Sequence, residues 1–137
     1  MKLFHLAFML PWIAYSFSAI ADPAPLQPQI QGDVTFVSGG IGGDERDALQ
    51  AVRADYNLSL LFSMQGTGEY FSDVAVRIND AKNQTVLDTV SDGPMLFAKL
   101  KPGRYRISAA HEGQEIRKTV TVDNKHRSPL SFTWPGD

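Results

Sequence analysis

The residues best equipped for chemistry in this chain are a glycine-rich run, two isolated histidines, scattered aspartates and a set of arginines. Gly39-Gly40-Ile41-Gly42-Gly43 leads straight into Asp44, and glycines ahead of a helix can turn backbone amides toward an anion. Dinucleotide-binding loops need a third glycine, yet the position after Gly40-x-Gly42-x-x is Glu45, and no Gly-Lys-Ser/Thr follows. Asp44, Glu45 and Asp47 place three carboxylates in the first helical turn. They satisfy the helix dipole themselves and repel a phosphate. The run therefore reads as a strand-to-helix connection, with Ile41 at its tip as a candidate partner contact.

The histidines support neither a metal site nor a triad. His5 lies near the N-terminus, leaving His111 beside Glu112-Gly113 and His126 within Lys125-His126-Arg127. Neither has a second histidine at ligand spacing, and the chain contains no cysteine to join them. Both read as solvated turn residues. No serine occupies a Gly-x-Ser-x-Gly elbow. Asp80, Asp88, Asp92 and Asp123 fall where turns and strand ends favour aspartate, and the stretch from Asp88 to Asp92 is too sparse in oxygen ligands for a calcium loop. Catalytic, cofactor and metal residues are therefore all expected to be none.

Surface recognition is the chemistry that remains. Arg77, Arg104, Arg106 and Arg117 fall on outward strand positions, with Lys99, Lys101 and Lys118 nearby. The plainest reading is a solvated sheet face, and Arg104 and Arg106 are its partner-contact candidates. Tyr70 shares parity with Val74 and Val76 and is expected in the core. Phe71 and Leu96 are expected to point outward as contact candidates beside Ile41.

These residues must be held by strands. Val34-Thr35-Phe36-Val37 reads as a first strand, and a short helix is expected over residues 44–54. Asp44 is its expected cap and Asn57 its stop; Leu49, Val52 and Tyr56 form one narrow apolar stripe. Leu58, Leu60, Phe62 and Met64 alternate on a second strand. Val74-Ala75-Val76-Arg77-Ile78 and residues 85–90 follow, with turn chemistry between them. Met95 and Phe97 face opposite to Leu96 and Ala98. Tyr105, Ile107 and Ala109 face inward, Glu112-Gly113 turns a hairpin toward Val120 and Val122, and Leu130, Phe132 and Trp134 close the pattern. Turn signals recur about every 8–12 residues, as in sandwiches and barrels.

The first residues form a separate object. Lys2, an apolar stretch interrupted by Pro11, and Ala19-Ile20-Ala21 compose an export signal over residues 1–21, expected to be cleaved after Ala21. An uncleaved anchor is the competing reading. Residues 22–31 carry Pro23, Pro25 and Pro28 and read as an extended leader. Residues 32–137 make one domain. Of the 13 basic residues only Lys2 falls in the signal, so the chain after it carries 12 basic against 15 acidic groups. That balance argues against nucleic acid or an anionic membrane as the main partner, and no membrane insertion is expected once the signal is removed.

From residue 66 to 122 the chain resembles the carboxypeptidase regulatory-like domain, a transthyretin-like β-sandwich. The residues carrying the resemblance are Asp92-Gly93-Pro94-Met95-Leu96-Phe97-Ala98-Lys99-Leu100-Lys101-Pro102-Gly103-Arg104-Tyr105, preceded by the strand at Val74. Met95 departs from the family's usual first aromatic. The resemblance implies a mostly β, transthyretin- or Ig-like antiparallel sandwich with the helix inserted after the first strand. It also implies kinship with stand-alone exported bacterial proteins, and it attaches no activity to them. In this setting Gly103 is expected to need a positive φ, and the Tyr105 hydroxyl to bond backbone. Transthyretin-like hydroxyisourate hydrolases resemble one another in a Tyr-Arg-Gly-Ser ending and several histidines. This chain ends Phe132-Thr133-Trp134-Pro135-Gly136-Asp137.

The functional expectation is a non-catalytic periplasmic module that recognises a protein or envelope component through a sheet edge or end loops, without cofactors. Two alternatives stand beside it. One is a small periplasmic hydrolase or ligand-binding protein with a polar pocket. The other is a periplasmic inhibitor or immunity-type protein.

Overall fold

The computed structural model describes residues 26–136. The expected export signal and cleavage point, His5 and the expected leader up to residue 25 lie outside the described residues. Strands β1 (Gln29–Gln31), β2 (Val34–Gly39), β3 (Leu58–Met64), β4 (Val74–Asn79), β5 (Thr85–Ser91), β6 (Met95–Lys99), β7 (Gly103–His111), β8 (Gln114–Val122) and β9 (Ser128–Trp134) form two sheets. Helix α1 (Gly43–Val52) and a single 3-10 turn, Arg53–Asp55, connect β2 to β3. The first sheet runs β1-β2-β6-β3-β9 and the second β5-β4-β7-β8. All pairings are antiparallel except β3 with β9. The protein is a mostly β sandwich with one short helix.

Two hydrophobic layers explain the strand sequences. Between the sheets, Phe36, Leu58, Leu60, Phe62, Leu96, Phe132 and Trp134 meet Val74, Val76, Ile78, Leu87, Tyr105, Ile107 and Val122. β4 buries only one face, and Val-Ala-Val-Arg-Ile-Asn alternates accordingly. A second, smaller layer lies on the outer face of the first sheet. There Leu49 and Tyr56 pack on Val37 and Phe97, with Leu26, Val52 and Met95 at its margin. The apolar stripe of α1 thus covers β2 and β6, and these strands and β3 are buried on both faces. Their near-continuous apolar runs follow from that double cover. Among the described residues no helix is long and apolar enough to cross a membrane.

Several expectations change on this scaffold. Leu96 is fully buried. It sits opposite Leu60 in the central strand β6 and points between the sheets, so it offers no contact surface. Tyr70 and Phe71 exchange roles: Tyr70 is 51% exposed, whereas Phe71 is half-buried against the sandwich core. The parity argument fails because Asp73, at φ 59°, breaks the extended run before β4. Gly103 begins β7 without a positive φ. Its role as a left-handed turn residue is therefore not realised.

The helix starts differently as well. Gly42, not Asp44, is the N-cap of α1, and no side chain caps it. Asn57 does more than end the helical segment. Its Nδ2 donates to Leu100 O at 2.7 Å while its Oδ1 accepts from Leu100 N at 2.9 Å, a side-chain copy of a strand pairing. Gln29–Gln31, at the end of the proline-rich leader, pairs with β2 as β1.

Candidate functional site

On the outer face of the second sheet, alternation and register together build a groove. Arg77 of β4, Ser108 of β7 and Arg117 of β8 stand abreast. The next row holds Asn79, Arg106 and Thr119, and the row on the other side holds Ala75, Ala110 and Glu115. Strand residues two apart share a face, so three small side chains make a floor between longer ones. The resulting open concavity encloses about 440 Å³ and is lined by Arg77, Arg106, Arg117, Asp88 and Glu115 around Ala75, Ser108 and Ala110.

Two of the arginines are steadied by acids. Arg77 lies 3.3 Å from Asp88, and Arg117 Nε donates to Glu115 at 2.9 Å. The hydrogen bond from Arg117, and after it one from Ser108, holds the Glu115 carboxyl below the usual carboxylate range. Arg106 and Arg104 are exposed and make no ion pair among the described residues. Asp80, near Arg104 and Arg106, spends one carboxylate oxygen on the Lys82 and Gln84 amides of its own turn. Four arginines against Asp80, Asp88 and Glu115 leave this face positive on a chain whose formal net charge is −2.

The sheet edges are partly occupied by side chains. The Gln31 amide group brackets Asp88 of edge strand β5, donating to its O at 3.1 Å and accepting from its N at 2.7 Å. Across the opposite seam Trp134 Nε1 donates to Gln114 O at 2.9 Å, Ser128 Oγ to Thr121 O at 3.3 Å, and Lys118 Nζ to Ser131 O. Side chains thus satisfy backbone groups that an added strand would use.

The other sequence candidates separate. Ile41 is 60% exposed, on the loop that follows Gly39 and packs near Pro94 and Met95. That is the end of the sandwich where β4 begins, while Arg104 stands at the start of β7, at the opposite end. The glycine run's first free amide, Gly40 N, donates to Glu45 Oε1 at 2.9 Å, so an acid already occupies the position an anion would take. His111 is not a solvated turn residue. It stacks on Phe71 with ring centroids 4.0 Å apart and meets Trp134 edge-on. His126 does lie in an exposed loop, against Asp123. No group of three metal-ligating side chains occurs among the described residues.

Sequence reasoning named the arginines but missed the floor. Its signal was small residues at outward positions of neighbouring strands, which needs register to interpret. Gln31 and Trp134 were missed as edge covers for the same reason. No family model matches this chain, and a search of curated proteins finds no match.

Proposed function

We propose that this protein is a non-catalytic binding module of the bacterial periplasm that holds an acidic segment of an envelope protein in the arginine-lined groove of the second sheet. One observation carries the reading: Arg106, without an ion pair among the described residues and flanked by the oriented Arg77 and Arg117, overlooks a floor trimmed to Ala75, Ser108 and Ala110. Small floor residues admit an extended chain, and guanidinium forks favour carboxylates. Recognition by the sheet edges is less suited, because Gln31 and Trp134 already engage Asp88 and Gln114. The Ala19-Ile20-Ala21 signal supports the compartment. The run from Asp92 to Tyr105 supports kinship with carboxypeptidase regulatory-like domains. Sandwiches of this type host unrelated roles, so the surface and not the fold argues the function.

In-cell photocrosslinking tests it, with a probe at Ser108 and a control probe at the exposed Lys125. The expected result is one discrete protein adduct from Ser108, absent at Lys125 and abolished by Arg106→Glu. Affinity for that partner, measured on the purified pair, falls at least about tenfold in Arg106→Glu and weakens with added salt. An adduct unaffected by charge reversal, or none from the groove, overturns the proposal.

A further inference from the structure

A second concavity lies on the other side of the molecule, where α1 and the turn after it leave part of the first sheet uncovered. Register places Phe97 of β6, Ser59 of β3 and Pro129 of β9 side by side, with Met95, Leu61 and Ser131 in the next row. Above them stand Gln50 of α1 and Arg53 of the 3-10 turn. The enclosed volume is about 180 Å³. Its lining is mostly apolar, and two of its polar groups, on Ser59 and Arg53, are anomalous.

Ser59 is only 8% exposed, and its Oγ is buried with no hydrogen-bond partner among the described residues. Arg53 Nε is also buried and unpartnered, and Arg53 makes no ion pair among them. Buried polar groups without partners are few in native proteins, and each is costly when left so. A serine hydroxyl can donate or accept, but a guanidinium only donates and always carries charge. An acceptor therefore satisfies both groups, and the guanidinium charge favours an anionic one. The surrounding Leu61, Met95, Phe97 and Pro129 exclude a ligand that is polar all round, such as inorganic phosphate. An apolar cavity of about 150 Å³ is known to accommodate a single benzene ring, so the space suits one compact apolar group.

We propose that this pocket binds a carboxylate attached to a compact apolar group, with Arg53 holding the carboxylate, Ser59 bonding it and Phe97, Met95 and Leu61 receiving the tail. The carboxylate belongs either to a small free acid or to the C-terminus of a peptide ending in an apolar residue. The site lies on the opposite sheet from the arginine groove and is independent of the reading given to that groove.

NMR titration of the purified protein tests the site, with benzoate as the probe, benzyl alcohol as its neutral counterpart and N-acetyl-glycyl-leucine as the peptide terminus. Benzoate is expected to give saturable shifts confined to Ser59, Leu61, Phe97 and their neighbours, and benzyl alcohol to bind at least about tenfold more weakly. That ratio follows from losing a charge-assisted contact. Arg53→Met keeps the stem packing and is expected to abolish the preference for benzoate. Ser59→Ala is expected to fold normally, melt no lower than wild type and bind benzoate several-fold more weakly. Tighter binding of the acetylated dipeptide than of benzoate assigns the site to peptide termini, and the reverse assigns it to free acids. Equal binding of benzoate and benzyl alcohol, shifts elsewhere, or no saturable shift up to about 10 mM overturns the proposal. Unaltered benzoate affinity in both variants does the same.

Discussion

Asn57 carries the pairing of β3 with its two neighbours, β6 and β9, one residue beyond the strand itself. Its amide bonds both backbone groups of Leu100, a residue 4% exposed, and its own N–H and C=O engage Ala98 O and Ser128 N. Removing the side chain leaves a buried donor and acceptor empty, each costing about 1–3 kcal/mol. Asn57→Ala is therefore expected to lower stability by about 2–4 kcal/mol in urea unfolding. Near-wild-type stability of Asn57→Ala would remove Asn57 from this role. Tyr105 acts similarly at the next turn. Its hydroxyl donates to Lys101 O at 2.7 Å, and burial, with Asp80 adding to it, raises its pKa so that the donor stays protonated. The Pro102-Gly103-Arg104-Tyr105 run made that bond legible beforehand. Nothing local distinguished Asn57 from a helix stop, because its partner lies 43 residues away.

At the scale of elements, the turns decide what alternation cannot. Gly103 opens a strand with ordinary van der Waals space around its missing side chain, whereas a methyl group on Gly93 would land on the Gly39 carbonyl. Gly93→Ala is accordingly expected to cost at least about 2 kcal/mol, and Gly103→Ala to stay within about 1 kcal/mol, in thermal melts of the two variants. Equal effects would show that the Gly39–Gly93 approach is not what demands glycine. The turn after β8 gives a pH-dependent counterpart. Asp123 Oδ1 accepts from His126 N at 2.7 Å and Lys125 N at 2.8 Å, and these bonds, His126 foremost, lower its pKa. A depressed carboxylate contributes stability that is whole above its unfolded pKa, about 4, and is lost as pH falls through the lower folded value. The Lys125 and His126 amide resonances should therefore move together as pH drops from about 5 to 2, and Asp123→Asn should flatten that response. Amides that ignore pH in the wild type would break the link.

Strands were legible in the sequence wherever one face is buried: β4 and β7 alternate without ambiguity, and the arginines of the groove were placed outward correctly. Sidedness failed where both faces are covered, as at Leu96, or where one left-handed residue, Asp73, reset the count and exchanged Tyr70 with Phe71. The pocket beside Arg53 left no sequence signal, since it exists only because α1 stops short of β9.

Across the whole molecule, the two sheets meet along seams that side chains close. At one seam Gln31 brackets Asp88; at the other Trp134, Ser128 and Lys118 reach carbonyls of the facing strand. Exposed strand edges pair with other chains unless something blunts them, and β8 is a nine-residue edge strand with exposed residues along most of its length. Gln31→Ala frees both backbone groups of Asp88. Trp134→Phe keeps an aromatic ring packed against Phe62 and Phe132 while surrendering the bond to Gln114. The double variant should hold its fold, losing about 1–2 kcal/mol for the hydrogen bonds removed. Yet it should self-associate at concentrations where the wild type does not, seen as faster-sedimenting species in velocity centrifugation and as added strand content on concentration. A double variant that sediments like the wild type would mean that the side-chain bonds are incidental and that strand twist alone protects the edges. Self-association in only one single variant would identify which seam guards the fold. Rescue by restoring Gln31 would point to β5, and rescue by restoring Trp134 to β8.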